Sequence, residues 1–334
     1  MTRDLSIRKE GVAGRITFTR PQALNALSHE MALAIHAALR GWEGDSEVKL
    51  VVIDAEGERA FCAGGDIAAV YHAAKAGDHA EGQSFFFDEY RMNAEIANYP
   101  KPVVAFMQGF VMGGGVGVGG HASHRIVGDS TRIAMPESGI GLIPDVGGSW
   151  LLARAPGHLG EYLMLTADRM GPGDAIKAGF ADLYLPEAEW PALIETLIQT
   201  GDLSALQGRT PPDAPLSARD LSAFAGADTA AIIAVLEAQG DEAALKPIRR
   251  NSPLSMAAGL RLVRESRGDA RIEDSLAREY RFTHRATQFG DFVEGVRAQV
   301  IDKDRNPQWT ADASDAAVDA ILAPLGAEEL HFDR

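Results

Sequence analysis

Two carboxylates eight positions apart, Glu137 and Asp145, stand in the stretch Ala134-Met135-Pro136-Glu137-Ser138-Gly139-Ile140-Gly141-Leu142-Ile143-Pro144-Asp145-Val146-Gly147-Gly148. Each follows a proline and precedes a glycine turn, with Ile140, Leu142, Ile143 and Val146 around them. Apolar surroundings disfavour an ionised carboxyl and raise its pKa towards values useful in proton transfer or nucleophilic attack. Taken singly, a Pro-Glu or Pro-Asp pair equally suits a helix start, where the acid answers the dipole. Upstream lie two glycine loops, Cys62-Ala63-Gly64-Gly65-Asp66 and Met112-Gly113-Gly114-Gly115-Val116-Gly117. Glycines allow close backbone approach, and N–H groups freed at a helix start stabilise developing negative charge without a cationic side chain. Two such loops with two acids downstream fit a two-donor oxyanion hole for acyl chemistry.

Other constellations are weaker. Gly115-Val116-Gly117-Val118-Gly119-Gly120 satisfies the dinucleotide pattern G-x-G-x-x-G, but the chain turns strand-like again at Arg125 after barely one helical turn. His121 and His124 have a metal-like spacing without an evident third ligand, so no metal is expected. Cys62 lacks a neighbouring base and reads as a small buried residue. Ser138 and Ser149 lie near the acids without a nucleophile elbow. Trp309, after Pro307, reads as an anchor for the C-terminal tail.

The elements that must position these groups alternate. Ile7–Phe18 reads as a hairpin, Ser28 as the N-cap of a helix reaching Trp42, and Leu50–Ile53 and Val103–Met107 as buried parallel strands. A helical stretch runs through Tyr90, Ile96 and Tyr99 to the prolines 100 and 102, and Arg125–Val127 and Arg132–Ala134 read as short strands. From about Gly157 the pattern is helical, with Thr210–Pro215 a surface loop or linker within residues 208–217. Helices are expected at Thr229–Leu236, Leu254–Val263 and Ile272–Phe289. The class is α/β.

Composition narrows the partners. With 32 basic and 47 acidic residues the net charge is −15, which argues against nucleic acid and anionic membrane surfaces. The single cysteine fits a reducing compartment, and Met1–Pro21 has no apolar signal region, so a cytoplasmic setting is expected. Val103–Gly120 is uncharged, but its seven glycines make it a poor membrane span. Twelve of the 35 glycines fall between Gly109 and Gly148, around the candidate site.

Ala60-Phe61-Cys62-Ala63-Gly64-Gly65-Asp66-Ile67 and the Met112–Gly117 loop resemble the two oxyanion loops of the crotonase (enoyl-CoA hydratase/isomerase) superfamily. The Ala134–Gly148 stretch is similar to the 3-hydroxyisobutyryl-CoA hydrolase family within it. So are Asp291-Phe292-Val293-Glu294-Gly295-Val296-Arg297-Ala298 and Ile301-Asp302-Lys303-Asp304, with Pro307 and Trp309. The resemblance implies a spiral of ββα units over residues 1–185 and a helical C-terminal region over 186–334. It implies Glu137 as nucleophile or general base, Asp145 beside the acyl group, Glu89 as a substrate contact and Gly114 as an oxyanion amide. Gly65 would supply the second amide, and Ala63, Gly64, Asp66 and Gly113 would line the substrate. Where hydratases carry a second catalytic glutamate this chain has Gly117, which disfavours hydration and favours hydrolysis of a short 3-hydroxyacyl-CoA thioester. Coenzyme A is then part of the substrate and no separate cofactor is expected. Relatives often form homo-oligomers, through an interface that the long C-terminal helices could equally cover here, and Lys49, Arg91, Lys101 and the C-terminal arginines are available for the phosphates without the sequence choosing among them. An enoyl-CoA hydratase or isomerase, a silent acyl-CoA-binding protein and a nicotinamide dehydrogenase remain the alternatives.

Overall fold

The computed structural model describes residues 3–332, so the outermost two residues of the N- and C-terminal expectations lie outside it. Nine strands occur among these residues: β1 (Leu5–Glu10), β2 (Ala13–Phe18), β3 (Leu50–Ala55), β4 (Ala60–Cys62), β5 (Val103–Met107), β6 (Phe110–Met112), β7 (His124–Val127), β8 (Arg132–Ala134) and β9 (Leu183–Tyr184). Gly11, with φ of 55°, turns the β1–β2 hairpin, which pairs antiparallel. From β2 onward the pairing is parallel, giving a sheet ordered β1-β2-β3-β5-β7-β9 and a second sheet ordered β4-β6-β8. Each turn of the chain, β3–β4, β5–β6 and β7–β8, therefore contributes one strand to each sheet before moving on. This is the spiral of ββα units.

Three strands depart from expectation. Phe61 and Cys62 belong to β4, where a loop is expected, while β6 sits at the mouth of the glycine run and β9 interrupts the helical C-terminal pattern. Elements of two or three residues are too short to show an alternation, and their pairing is set by neighbours distant in sequence. Leu50, Val52, Val104, Phe106 and Ile126 present one face of the larger sheet to Trp190, Leu197 and Ile198 of the helix Trp190–Thr200. Burying this face supplies the hydrophobic drive that holds the spiral.

The chain packs as two compact units interleaved in sequence: residues 1–65, 91–134 and 169–218, and residues 66–90, 135–168 and 219–334. Both sheets lie in the first. The second is helical, containing Ile67–Lys75, Gly148–Arg154, Leu159–Thr166, Thr229–Gln239, Pro253–Glu265 and Ile272–Phe289. Residues 210–215 form an exposed stretch without helix or strand, just before the first unit ends at Ala218. Trp309 donates its indole N–H to the Arg250 carbonyl at 2.9 Å, tying down the C-terminal segment.

Candidate active site

In the first unit the two glycine loops lie against each other. β4 and β6 run parallel, with Cys62 paired to Val111, and so bring the two loops together. Beyond β6, Gly113 takes a φ of 47° and starts the helix Gly114–Gly119. A Cβ on Gly115 would stand 2.1 Å from the Cys62 carbonyl oxygen, so only glycine permits this approach. Gly64 has a φ of 118°, and its carbonyl accepts from Leu27 N–H at 2.9 Å. No acceptor among the described residues takes the N–H of Gly65 or of Gly114. Two free donors on adjacent loops are what an anion or carbonyl oxygen requires. Ala63, Gly64 and Asp66 are half-buried along the same loop, whereas Gly113 is buried. Cys62 is buried with its thiol 3.6 Å from the Gly64 carbonyl, a packing role.

In the second unit four buried carboxyls gather. Glu89 comes from the helix Ala80–Ala97, Glu137 opens a 3-10 turn through Ile140, Asp145 precedes the helix Gly148–Arg154, and Glu279 lies on Ile272–Phe289. Each is at most 4% exposed. The Tyr90 hydroxyl donates to Asp145 Oδ2 at 2.6 Å and lies 3.2 Å from Thr283 Oγ1. Burial, then the charge of Asp145, holds Glu137 well above the ordinary carboxylate range, and the same two causes raise Glu89. Asp145 is pushed up to about 7 by burial, against the opposing hydrogen bond from Tyr90. Glu137 Oε2 and Glu89 Oε1 have no hydrogen-bond partner among the described residues. Buried polar atoms are costly when unpaired and mark places built for a polar ligand.

Two of the segments singled out by resemblance, Ala134–Gly148 and Asp291–Ala298, meet here. A Cβ on Gly295 would stand 2.2 Å from the Ile140 carbonyl, and one on Gly141, with φ of 72°, would stand 2.4 Å from that of Asp291. The Asp291–Ala298 segment thus seats the turn bearing Glu137. Ser252 N–H donates to the Ser138 carbonyl at 2.9 Å, and the Ser252 hydroxyl to Asp291 at 2.8 Å. Gly295→Ala is expected to cost about 1–3 kcal/mol by overpacking, read as a lower denaturant midpoint with an unchanged m-value.

Other candidates resolve into structural roles. Lys101 donates to the carbonyls of Trp42 and Asp45, at 2.5 and 2.6 Å, behind the helix His29–Glu43, so it is committed to capping. His124 contacts Ser123 at 3.0 Å, and no group of three or more potential metal ligands occurs among the described residues. Ser149 is no nucleophile; its hydroxyl donates to Glu279, which carries no signal in sequence spacing because 130 residues separate them.

The family model for enoyl-CoA hydratase/isomerase matches residues 13–323. The mitochondrial 3-hydroxyisobutyryl-CoA hydrolase of Gallus gallus is 37% identical, over 98% of this chain and 90% of its own length. That of Xenopus tropicalis is 38% identical over 97% and 90%. Among solved structures, an enoyl-CoA hydratase from Rhodobacter sphaeroides is 53% identical with a TM-score of 0.93, covering 98% of this chain and 100% of that one. A carnitinyl-CoA dehydratase from Mycobacterium thermoresistibile is 42% identical with a TM-score of 0.94, covering 99% of each. With the spiral of paired sheets and nearly full-length likeness, the chain belongs to the enoyl-CoA hydratase/isomerase, or crotonase, family.

Proposed function

We propose that this enzyme hydrolyses a short 3-hydroxyacyl-CoA thioester, 3-hydroxyisobutyryl-CoA in the first instance, to the free hydroxy acid and CoA, a step of valine breakdown. The observation that carries the reading is the buried pair Glu137 and Asp145, one with an unpartnered oxygen and the other gripped by Tyr90. The full-length likeness to hydrolases of that name supports the substrate. The thioester oxygen takes the N–H groups of Gly65 and Gly114, which polarise the carbonyl as charge develops on it. Glu137 attacks the carbonyl carbon, the C–S bond of the resulting adduct breaks, and CoA leaves as a thiolate, giving a mixed anhydride between the acyl group and Glu137. Asp145 and Glu89 bind the substrate hydroxyl and orient the water that opens the anhydride, returning Glu137 as a carboxylate. Ala63, Gly64, Asp66 and Gly113 line the acyl path. CoA belongs to the substrate, and the reaction uses no separate cofactor.

Hydroxylamine added during turnover tests the covalent step. It converts an anhydride at Glu137 to a hydroxamate, a mass change on that peptide that attack by water on the thioester cannot produce. Glu137 works ionised, and burial with the Asp145 charge raises its pKa. Activity is therefore expected to go on rising with pH beyond about pH 6, where an exposed glutamate would already be fully ionised. A plateau in kcat/KM already reached at pH 5 would contradict this.

A second reading, hydration of an enoyl-CoA, is favoured by the 53%-identical structure named as a hydratase. Against it stands Gly117, buried in the helix Gly114–Gly119 without a side chain to hold a water. Homo-oligomerisation is part of the same proposal and is tested by light scattering. For a cytoplasmic setting the support is the single cysteine, which suits any reducing compartment, whereas the vertebrate relatives are mitochondrial by name. No helix among the described residues is long and apolar enough to cross a membrane.

A further inference from the structure

Glu279 lies far from the acid-bearing stretch in sequence and is wholly buried. Its Oε2 accepts from Gly147 N–H at 2.8 Å and its Oε1 from Ser149 N–H at 2.9 Å, while the Ser149 hydroxyl also donates to Oε1. These donors stand two and four residues after Asp145 and bracket a turn of unusual shape. Val146 has a φ of 54° and Gly147 one of 79°. A β-branched residue at positive φ is strained and persists only where its surroundings over-determine it. Gly148 N–H returns to the Asp145 carbonyl at 2.6 Å, so the turn closes on Asp145 from within while Glu279 pins it from outside. One helical turn beyond Glu279, Thr283 meets the Tyr90 hydroxyl that donates to Asp145. One helix, Ile272–Phe289, thus holds the turn that follows Asp145 and, through Thr283, meets the tyrosine that donates to its side chain.

Behind Glu279 the polar chain continues. Ser149 Oγ lies 3.1 Å from Ser266 Oγ, Ser266 Oγ lies 3.0 Å from Ser275 Oγ, and Ser275 donates to Asp269 at 2.7 Å, where Arg278 closes an ion pair. Burying a charged carboxylate merely to close a turn is costly, because a neutral acceptor could serve. Burial pushes the Glu279 pKa up to about 7, opposed by the donors from Ser149 and Gly147. Its charge also acts on Glu137, alongside those of Asp145 and Glu89.

We infer that Glu279 is a positioning residue for the hydrolysis proposed above: it holds the Val146–Ser149 turn in its strained shape and so aims the Asp145 carboxylate, without touching substrate. The inference rests on the hydrolase reading for its kinetic consequence but not for its structural one. The test compares wild type with Glu279→Gln, whose amide keeps one acceptor and turns an N–H against a donor. The expected kcat for 3-hydroxyisobutyryl-CoA falls about 100-fold with KM nearly unchanged, as for a misplaced catalytic group. Loss of the Glu279 charge lowers the Glu137 pKa, so the acid limb of kcat/KM moves to lower pH. Hydrogen exchange is expected to quicken in the peptide containing Gly147 and Ser149 and little elsewhere.

An unchanged kcat, or exchange that rises throughout the molecule with no shift of the acid limb, would overturn the inference. Should Glu279→Gln fail to fold, Ser149→Ala decides: it removes one donor of three and is expected to lower kcat about 3- to 10-fold at constant KM, and full activity would overturn the inference. If wild type releases no thiol from any 3-hydroxyacyl-CoA, the hydrolase reading falls by itself. Exchange then still decides whether Glu279 holds the turn: local quickening supports it, and unchanged exchange overturns it.

Discussion

Glu137→Gln is expected to lower kcat for thiol release by about 1,000-fold or more, with KM little changed. The substitution keeps shape and burial but replaces a carboxylate by an amide, which is a poor nucleophile and a poor base. Glu137 Oε2 has no partner among the described residues, so the exchange breaks no bond to that atom among them. Stability is expected to move the other way. Burial and the Asp145 charge raise the folded-state pKa of Glu137 above its unfolded value. Such a group contributes stability that is fully present below the unfolded pKa, about 4.3, and is lost as pH rises through the folded pKa. At pH 8, far above the unfolded-state value, wild type therefore bears a burial cost for this carboxyl that the variant does not. Tm of the variant should exceed that of wild type at pH 8, and the two should converge near pH 4. Activity lost while stability is gained separates a chemical role from a structural one, because removing a structural carboxylate lowers both. Thermal melts at the two pH values beside a thiol-release assay read both quantities. A variant with near-normal kcat, or one less stable at pH 8, would count against this role.

The second large effect is expected at Asp145→Asn: kcat down about 100-fold or more, the range for removing one positioned acid–base group. The Tyr90 hydroxyl can still donate to an asparagine oxygen, so the local geometry should survive. Asp145 is the strongest charge raising the Glu137 pKa, and its own pKa lies near 7. Removing it should erase the inflection near neutrality and carry the remaining acid limb of kcat/KM to lower pH. A pH–rate profile that keeps its wild-type shape would show that Asp145 does not share the site chemistry with Glu137.

How much of this was legible in sequence depends on range. The hairpin, the parallel strands over Leu50–Ala55 and Val103–Met107 and the Ser28 cap carry local signatures, and all appear, with Ser28 Oγ accepting from Met31 N–H at 3.3 Å. The acids and glycine loops stand out because proline, glycine and carboxylate types mark them locally. Of the smaller sheet only β8, over Arg132–Ala134, was legible; β4 and β6 were hidden because they are three residues each and exist only through pairing across the spiral. Glu279 was hidden for a related reason. It sits in an amphipathic helical pattern full of charges, and its partners are 130 and 132 residues away. Why Gly295 and Asp291 belong with Glu137 likewise needed the fold, which presses them onto the turn at Ile140 and Gly141. The net charge of −15 still demands a local basic surface for CoA phosphates, and Lys101, spent on backbone carbonyls, is removed from that search.

The most direct measurement offers wild-type enzyme two substrates in parallel: 3-hydroxyisobutyryl-CoA with free-thiol detection, and crotonyl-CoA with detection of double-bond loss by absorbance. The account predicts rapid thiol release from the first, dependent on Glu137, and no hydration of the second. Hydration of crotonyl-CoA without thiol release from the hydroxyacyl thioester would contradict it.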